Sequence, residues 1–543
     1  MTRSVAREDA KVQAWLSSSL VRHYPGSPAR QRRSLRLDAA RGETIAFQAA
    51  LRSADEDLRV AAQAAAPDGV EVQVRRVRYV PVPHLNTQTP PGELEGAKYL
   101  PGLAPDPLYP DADMHLGPHE TGAFWISVRV PLDARPGRYA VRVALTPEGG
   151  EARELAATLV VHEAVLPSRR DFPVTHWFYA DALCDWYKVE LADEAFWPIL
   201  DAYLADLSGH GQDTVYVPVL TPPLDGVKRP TQLLNVRRRG DRYSFDWSLV
   251  RRWVKAARAK GLTRFEWTHL FTQWGAEYAI RVYRGRGDSG LLMWPPETPA
   301  ASPTYRAFLA QFLPELEGFL RSEALAEASF FHVSDEPHGE QHRANYRAAR
   351  GMLRELAPWM TVMDALSEIE FAREGLIDVP IPSITVAPDF VREGFPAWAY
   401  FCSGPRGEYL NRLIDTPLTK IRMSGWLFYK TQVRGFLHWG YNYWYRCGTT
   451  HLIDPYLVSD ALNWPGWAYG DPFVVYPGPV GPVDSLRWEV FAESLQDYAL
   501  LQAAGVDPAG SILAEIRDFA VFPRDEAWIA AKRRDLLLRL DEG

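Results

Sequence analysis

Asp335 and Glu336 are adjacent carboxylates at the end of a short apolar run, Ser329 to Val333, and Pro337 follows them directly. The run has the length and composition of a buried strand, and proline stops it. Glycoside hydrolysis uses two carboxyl groups, and a parallel barrel collects its chemistry at the C-terminal ends of its strands. A separate nucleophile and acid normally stand about 5–5.5 Å apart across the sugar. Neighbours in sequence better suit substrate assistance. There the sugar's own 2-acetamido oxygen attacks the anomeric carbon, Asp335 orients the acetamido nitrogen, and Glu336 protonates the leaving oxygen. Burial and the neighbouring charge are the means by which such an acid is kept protonated. The alternative for the pair is a strand-end cap or an arginine partner.

Aromatic residues are the second signal. The 543-residue chain carries 19 tryptophans, and Trp177, Trp267, Trp274, Trp398, Trp439 and Trp444 fall at expected strand ends. An indole stacks on the apolar face of a pyranose while polar neighbours take its hydroxyls. Core packing accounts for most tryptophans taken singly. Trp439-Gly440-Tyr441-Asn442-Tyr443-Trp444 differs, because it holds a polar residue inside an aromatic cluster. The candidate substrate contacts are therefore His176, Trp267, His269, Trp274, Asp364, Trp439, Tyr441 and Asn442. Glu266, Asp364 and Glu489 are spare carboxylates for a direct-displacement alternative.

Two patterns are decoys. Gly285-Arg286-Gly287-Asp288-Ser289-Gly290 fits G-x-G-x-x-G but opens no helix in a βαβ unit, so it reads as a loop. His338 and His342 beside Glu336 and Glu340 are in the order H-x-E-x-H, not the H-E-x-x-H of zinc proteases. No metal and no organic cofactor is expected.

The elements that must position these residues fall into two parts. Up to about residue 168, short alternating or β-branched segments (Val70–Val74, Phe124–Val130, Tyr139–Leu145) are separated by turn signals such as Pro67-Asp68-Gly69 and Arg135-Pro136-Gly137, which predicts a β-sandwich. Pro81 to Pro118 reads as a long irregular loop, of a kind often functional, with enough reach to meet the barrel mouth. From residue 169 to 543 strand and helix signals alternate. Strands are expected at 174–179, 214–219, 264–270, 329–333, 361–364, 383–386, 435–439 and 473–476. Helices are expected at 194–207, 249–259, 340–356 and after Ser302-Pro303, with Pro314 a possible kink. Repeated βα units favour a (β/α)8 TIM-like barrel.

Composition excludes other classes. Hydrophobic residues make up 47% and charged residues 24%, ordinary for a globular protein. A net charge of -8 disfavours nucleic acid. Cys184, Cys402 and Cys447 are too few and too scattered for a disulfide framework, which suggests a reducing compartment. Residues 1–20 carry charges where a leader needs hydrocarbon, and no stretch spans a bilayer. A cytoplasmic protein with a glycan or oligosaccharide substrate is expected, without membrane partner, and with homo-oligomerisation open.

The chain resembles glycoside hydrolase family 123. The residues that carry the resemblance are Arg41-Gly42-Glu43 with Phe47-Gln48, then Phe271-Thr272-Gln273-Trp274-Gly275-Ala276 and His332-Val333-Ser334-Asp335-Glu336-Pro337. Asp364-Ala365-Leu366-Ser367, Gly435-Phe436-Leu437-His438-Trp439-Gly440-Tyr441-Asn442 and Ser485-Leu486-Arg487-Trp488-Glu489 complete it. The resemblance implies an exo-acting, retaining β-N-acetylgalactosaminidase working by substrate assistance. It makes Asp335 the acetamido stabiliser, Glu336 the general acid/base, and Trp274, Trp439 and Asn442 sugar contacts.

Overall fold

The computed structural model describes residues 12–67, 69–85, 87–223, 229–287 and 290–542. Most of the N-terminal segment scanned for a leader, Asp68 of the first turn signal, and Asp288 and Ser289 of the glycine-rich decoy lie outside the described residues.

Ten strands come first: β1 (Val12–Ser18), β2 (Ser34–Arg41), β3 (Thr44–Ser53), β4 (Leu58–Ala65), β5 (Glu71–Val82), β6 (Gly102–Tyr109), β7 (Asp113–Leu116), β8 (Thr121–Arg129), β9 (Gly137–Pro147) and β10 (Arg153–Val165). They form two five-stranded sheets, ordered β1-β3-β8-β5-β6 and β2-β10-β9-β4-β7. Alternation explains the packing. Val141, Val143 and Leu145 of β9, with Leu155, Ala157 and Leu159 of β10, point one way and are buried. They meet Phe47, Ala49 and Leu51 of β3 and Phe124, Ile126 and Val128 of β8 in one apolar cluster shared by the two sheets. The opposite face of β3 and β8 is buried too. Ala46, Ala50, Ala123 and Trp125 belong to the core of the rest of the chain.

The proline-rich stretch from Pro81 to Pro118 is not one irregular loop, because β6 and β7 lie within it. Pro105 and Pro107 hid β6, yet both are tolerated because β6 is an edge strand.

Beyond residue 170 come β11 (Val174–His176), β12 (Thr214–Val217), a hairpin of β13 (Asn235–Arg239) and β14 (Arg242–Asp246), β15 (Arg264–Trp267), β16 (Ser329–Phe331), β17 (Met363–Ala365), β18 (Val379–Ile381), β19 (Ala399–Tyr400) and β20 (Phe436–His438). Parallel neighbours follow chain order. β12 pairs with β15, and β15 with β16. Phe331 bridges to Val362, β17 pairs with β18, and Ser383 bridges to Tyr400. β19 pairs with β20, and β20 with β11. Between β11 and β12, Val174 N donates to Asp213 Oδ1 at 2.9 Å.

Two expected strands are displaced. The strand expected at 383–386 is β18, four residues earlier, masked by Pro380 and Pro382. The one expected at 473–476 is not a parallel strand. It becomes β21 (Tyr476–Pro477), paired antiparallel with β22 (Pro482–Val483). The helix Pro303–Ser322 starts where expected, with Ser302 Oγ accepting from Tyr305 N, and runs through Pro314 without interruption. Its buried face of Tyr305, Phe308, Leu309, Phe312, Leu313, Leu316 and Leu320 repeats at helical spacing. The three cysteines are free thiols.

Candidate active site

Asp335 and Glu336 sit just past β16. A regular strand would send their side chains to opposite faces. Here Glu336 adopts a left-handed backbone with φ of 43°, which re-aims its side chain so that both carboxyls line one cavity. The cavity measures about 130 Å³. Trp177, Gln273, Trp274, Tyr400, Cys402, Ser403, Trp439, Trp467 and Asp471 complete its main walls. It lies beyond the C-terminal ends of β11, β15, β16, β17, β19 and β20.

The two acids occupy different environments. Asp335 is buried, and Gln273 Nε2 donates to its Oδ2 at 2.8 Å. Glu336 is exposed, and Tyr400 OH donates to its Oε1 at 2.5 Å. Burial first, then the charge of Glu336, drive the Tyr400 phenol well above its usual range, so it remains a donor. Trp274 stands 54% exposed, with a left-handed φ of 57°. Its loop is fixed by Trp274 N donating to Asp335 O at 2.8 Å and by Gly275, where a Cβ would strike the His342 ring at 2.4 Å. His342 is thus a packing partner of the loop, and its Nδ1 accepts from His338 N.

Beneath the cavity lies a buried polar column. His332 Nδ1 is 2.9 Å from Asp364 Oδ1, and Nε2 is 2.7 Å from Glu266 Oε1. Burial alone would depress the His332 imidazole, but bonds to the two carboxylates outweigh it and hold its pKa up at about 9. Glu266 also accepts from Thr175 Oγ1 and from Trp177 Nε1, both at 2.6 Å. Asp364 Oδ2 accepts from Tyr346 OH and from the backbone N–H groups of Val333 and Ser334. Asp364 therefore clamps the backbone that leads into Asp335, and Glu266 holds the indole at the cavity floor.

Of the ten expected site residues, Asp335, Glu336, Trp274 and Trp439 line the cavity; the other six do not. Asp364 is spent on the clamp. His269 is buried, stacked on His332 at 4.1 Å, with Nδ1 3.1 Å from Tyr216 OH. His176 is buried between Gln212 Oε1 and Arg412 Nη2, each at 2.7 Å. Trp267 faces outward to Phe319 and donates to Ser329 Oγ. Tyr441 OH donates to Asp206 Oδ2 at 2.5 Å. Asn442 binds the backbone of Tyr179 through both amide atoms. For His176, Trp267 and Asp364 strand register decides the outcome, since one residue along a strand changes the face; His269, Tyr441 and Asn442 lie beyond the strand ends and are drawn inward by buried partners. The spare carboxylate Glu489 is likewise remote, paired with Arg75 at 2.5 Å.

Asp471 is the site residue that sequence reasoning missed. It is 2% exposed; Trp439 Nε1 and Ser403 Oγ each donate to its Oδ2 at 3.0 Å. Burial lifts its pKa to about 6 against the hydrogen bonds from Ser403 and Trp439. It sits in a long irregular stretch with nothing local to mark it. Tyr400 and Trp467 were missed as well. Gln273 was visible within the Gln273-Trp274 motif.

Among the described residues, two clusters bring three possible metal-ligand atoms within 4.8 Å: His269, His332 and Asp364, and Asp206, His210 and Asp484. In the first, both His332 nitrogens are already engaged with carboxylates. The second borders a larger cleft of about 650 Å³ between the sheets and the helix Leu486–Ala503. Arg75 already bonds Asp484 and Glu489 there, and His210 bonds Asp206. That cleft is an ion-paired junction, whereas the smaller cavity holds the acids and the indoles.

A solved family 123 glycoside hydrolase from Clostridium perfringens, studied for glycolipid glycan hydrolysis, superposes with a TM-score of 0.73. It shares 14% identity, with 98% of each chain covered. A Bacteroides ovatus family 5 xyloglucanase and a family 10 xylanase from termite gut each share 9% identity over 87% of this chain, covering 99% and 100% of theirs. Their TM-scores are only 0.31 and 0.33. No curated protein sequence matches the chain. The sequence profile of the glycoside hydrolase 123 catalytic domain matches residues 177–504, more than half of the chain and all of the cavity's lining. The chain thus belongs to glycoside hydrolase family 123, and the protein is a glycoside hydrolase.

Proposed function

We propose that the protein is a retaining exo-β-N-acetylgalactosaminidase that works by substrate assistance. On this proposal the cavity is the mouth of a closed (β/α)8 barrel (residues 169–543), behind an N-terminal β-sandwich (residues 1–168). The observation that carries it is the unequal setting of two adjacent acids on one wall of a cavity sized for a single sugar. The buried Asp335, steadied by Gln273, takes the acetamido N–H and turns the carbonyl oxygen toward the anomeric carbon. That oxygen forms a bond to C1 while the glycosidic C1–O bond breaks. The proton of Glu336 passes to the leaving oxygen, and Asp335 balances the oxazolinium charge. Water then adds to C1, returning a proton to Glu336, and the ring opens with overall retention. Trp439 and Trp177 supply apolar faces for the ring, and Trp274 at the rim meets the leaving group. The Clostridium perfringens relative's glycolipid glycans make a glycan of that kind the natural substrate to test first.

The test is hydrolysis of aryl β-glycosides of N-acetylgalactosamine, N-acetylglucosamine and galactose, with and without a thiazoline inhibitor. Turnover of the N-acetylgalactosaminide, blocked by the thiazoline, supports the reading. Preference for the gluco epimer overturns the sugar, and turnover of the plain galactoside alone overturns the acetamido mechanism.

A further inference from the structure

Among the described residues, the cavity lining contains three carboxylates, Asp335, Glu336 and Asp471, and no Lys, Arg or His. Its side-chain donors are largely spent. Trp177 Nε1 donates to Glu266, Gln273 Nε2 to Asp335, Tyr400 OH to Glu336, and Ser403 Oγ and Trp439 Nε1 to Asp471. A ligand here meets mainly acceptors, the Nε1 groups of Trp274 and Trp467 being the remaining indole donors, and must bring donors of its own. Sugar hydroxyls and an amide N–H do so. A sulfate, phosphate or carboxylate brings none, and would be desolvated beside fixed negative charge.

Asp471 is held in place. His438 Nδ1 accepts from Gly440 N at 3.0 Å, so the proton of the neutral ring is on Nε2, which faces Asp471 Oδ1 at 3.5 Å. Trp439 and Ser403 both donate to Oδ2, while the buried Oδ1 has no hydrogen-bond partner among the described residues. The backbone on both sides is clamped by Arg487, which donates to Gly470 O at 2.7 Å and Phe473 O at 3.1 Å. Gly470 has φ of 88°, and a Cβ there would meet Ile414 at 2.6 Å. The carboxylate has no slack with which to retreat from a like charge. The charges of Arg412 and Arg406 act on Asp471 from outside the cavity lining: Arg406 also bonds the carbonyls of Ser403 and Gly466, and Arg412 is buried against His176.

We infer that Asp471 is a specificity residue that restricts the cavity to an uncharged terminal sugar, excluding residues that carry sulfate, phosphate or a uronic carboxylate. The inference rests on the cavity being the sugar site proposed above.

The experiment compares kcat/KM of the purified full chain on an aryl β-N-acetylgalactosaminide, its 6-O-sulfate and its 6-O-methyl ether. The aryl β-galactoside and its 6-O-sulfate are run in parallel. The sulfate is expected to be poorer than the parent by about 100-fold, the scale of an unscreened like-charge contact, and the methyl ether to be tolerated. In Asp471→Asn the sulfate penalty is expected to shrink about tenfold, mainly through KM. Equal loss with sulfate and methyl ether shows a steric limit and overturns the inference. So does sulfate turnover within about threefold of the parent, or an unchanged penalty in the variant. If only galactosides are turned over, the acetamido reading fails while the charge comparison is still read on that pair. If no glycoside is turned over, the sugar site and the inference fall together. Should Asp471→Asn not fold, the sulfate and methyl ether comparison on the natural protein decides alone.

Discussion

Glu336 and Asp471 show how two carboxylic acids in one cavity come to differ. Glu336 stands at the rim on a left-handed backbone, with Tyr400 as its hydrogen-bond donor. On the proposed mechanism Glu336 protonates the leaving oxygen, so its replacement by Gln is expected to lower kcat/KM by about 10²–10⁴ on glycosides with poor leaving groups. On nitrophenyl glycosides, which need little protonation, the loss is expected to be far smaller; comparing alkyl with nitrophenyl substrates reads this. Asp471 carries a pKa of about 6 where an exposed aspartate has about 3.9, because burial penalises its charge. The native state therefore binds a proton more readily than the unfolded chain, and the stability tied to Asp471 falls as pH rises from about 4 to 6. A two-unit shift corresponds to about 3 kcal/mol. Asp471→Asn abolishes this ionisation. The melting temperature of the variant relative to wild type is expected to climb between pH 4 and 7; a constant difference across that range would contradict the assignment.

At the scale of elements, the parallel strands are short, and the polar column fixes the segments at their C-terminal ends. Asp364 on β17 holds the backbone past β16, and His332 links it to Glu266 on β15. The His332 pKa is raised to about 9, so its proton contributes stability that is fully present below about pH 6.5 and lost as pH rises through 9. The shift corresponds to about 3 kcal/mol. Urea unfolding at pH 6, 7.5 and 9.5 is expected to show that decline in wild type and not in His332→Gln, which is itself less stable at pH 6. The same elements show the limit of reading strands from sequence. Glu266 and Trp267 are neighbours on β15, yet the first faces the column and the second the helix Pro303–Ser322. Alternation predicts opposite faces, but which one is inside depends on the partners.

At the scale of the whole molecule, ion pairs join the sheets to the catalytic half, and the family motifs outside the cavity supply them. Asp106 of β6 makes a two-pronged pair with Arg487, each contact 3.0 Å, and Arg487 in turn holds the segment around Asp471. The stretch between β5 and β6 also braces the cavity's outer loops. Thr87 bonds Asp415, Gly407 N donates to Thr87 O at 2.8 Å, and His84 stacks on Trp464 at 4.7 Å. Arg533, on the last helix Glu526–Glu542, is 7% exposed and bonds both Glu43 and Asp497. Arg533→Ala leaves the buried Glu43 without its cation, while Asp497 keeps Arg422, and a loss of about 3 kcal/mol is expected by chemical denaturation. A loss below about 1 kcal/mol would mean that the junction is dispensable.

Local sequence was enough to mark the acid pair that lines the cavity: two adjacent acids, an apolar run before them, a proline after, and indoles at strand ends. It was also enough for the alternation of strand and helix, because periodicity and turn residues are local properties. It hid β18 and β6 because proline reads as a strand breaker wherever the edge or the neighbours that tolerate it are unknown. Which polar residues line the cavity was settled only when the chain packed. His176, His269, Asp364, Tyr441 and Asn442 have the right types and lie near the right ends, yet each is consumed by a buried partner. Asp471 has an ordinary setting in sequence and enters the cavity because Arg487 and Asp106, from distant parts of the chain, fix its backbone. Hydrogen-bond partners at long sequence separation settle whether a polar side chain supports the scaffold or faces the ligand, and local sequence carries no record of them.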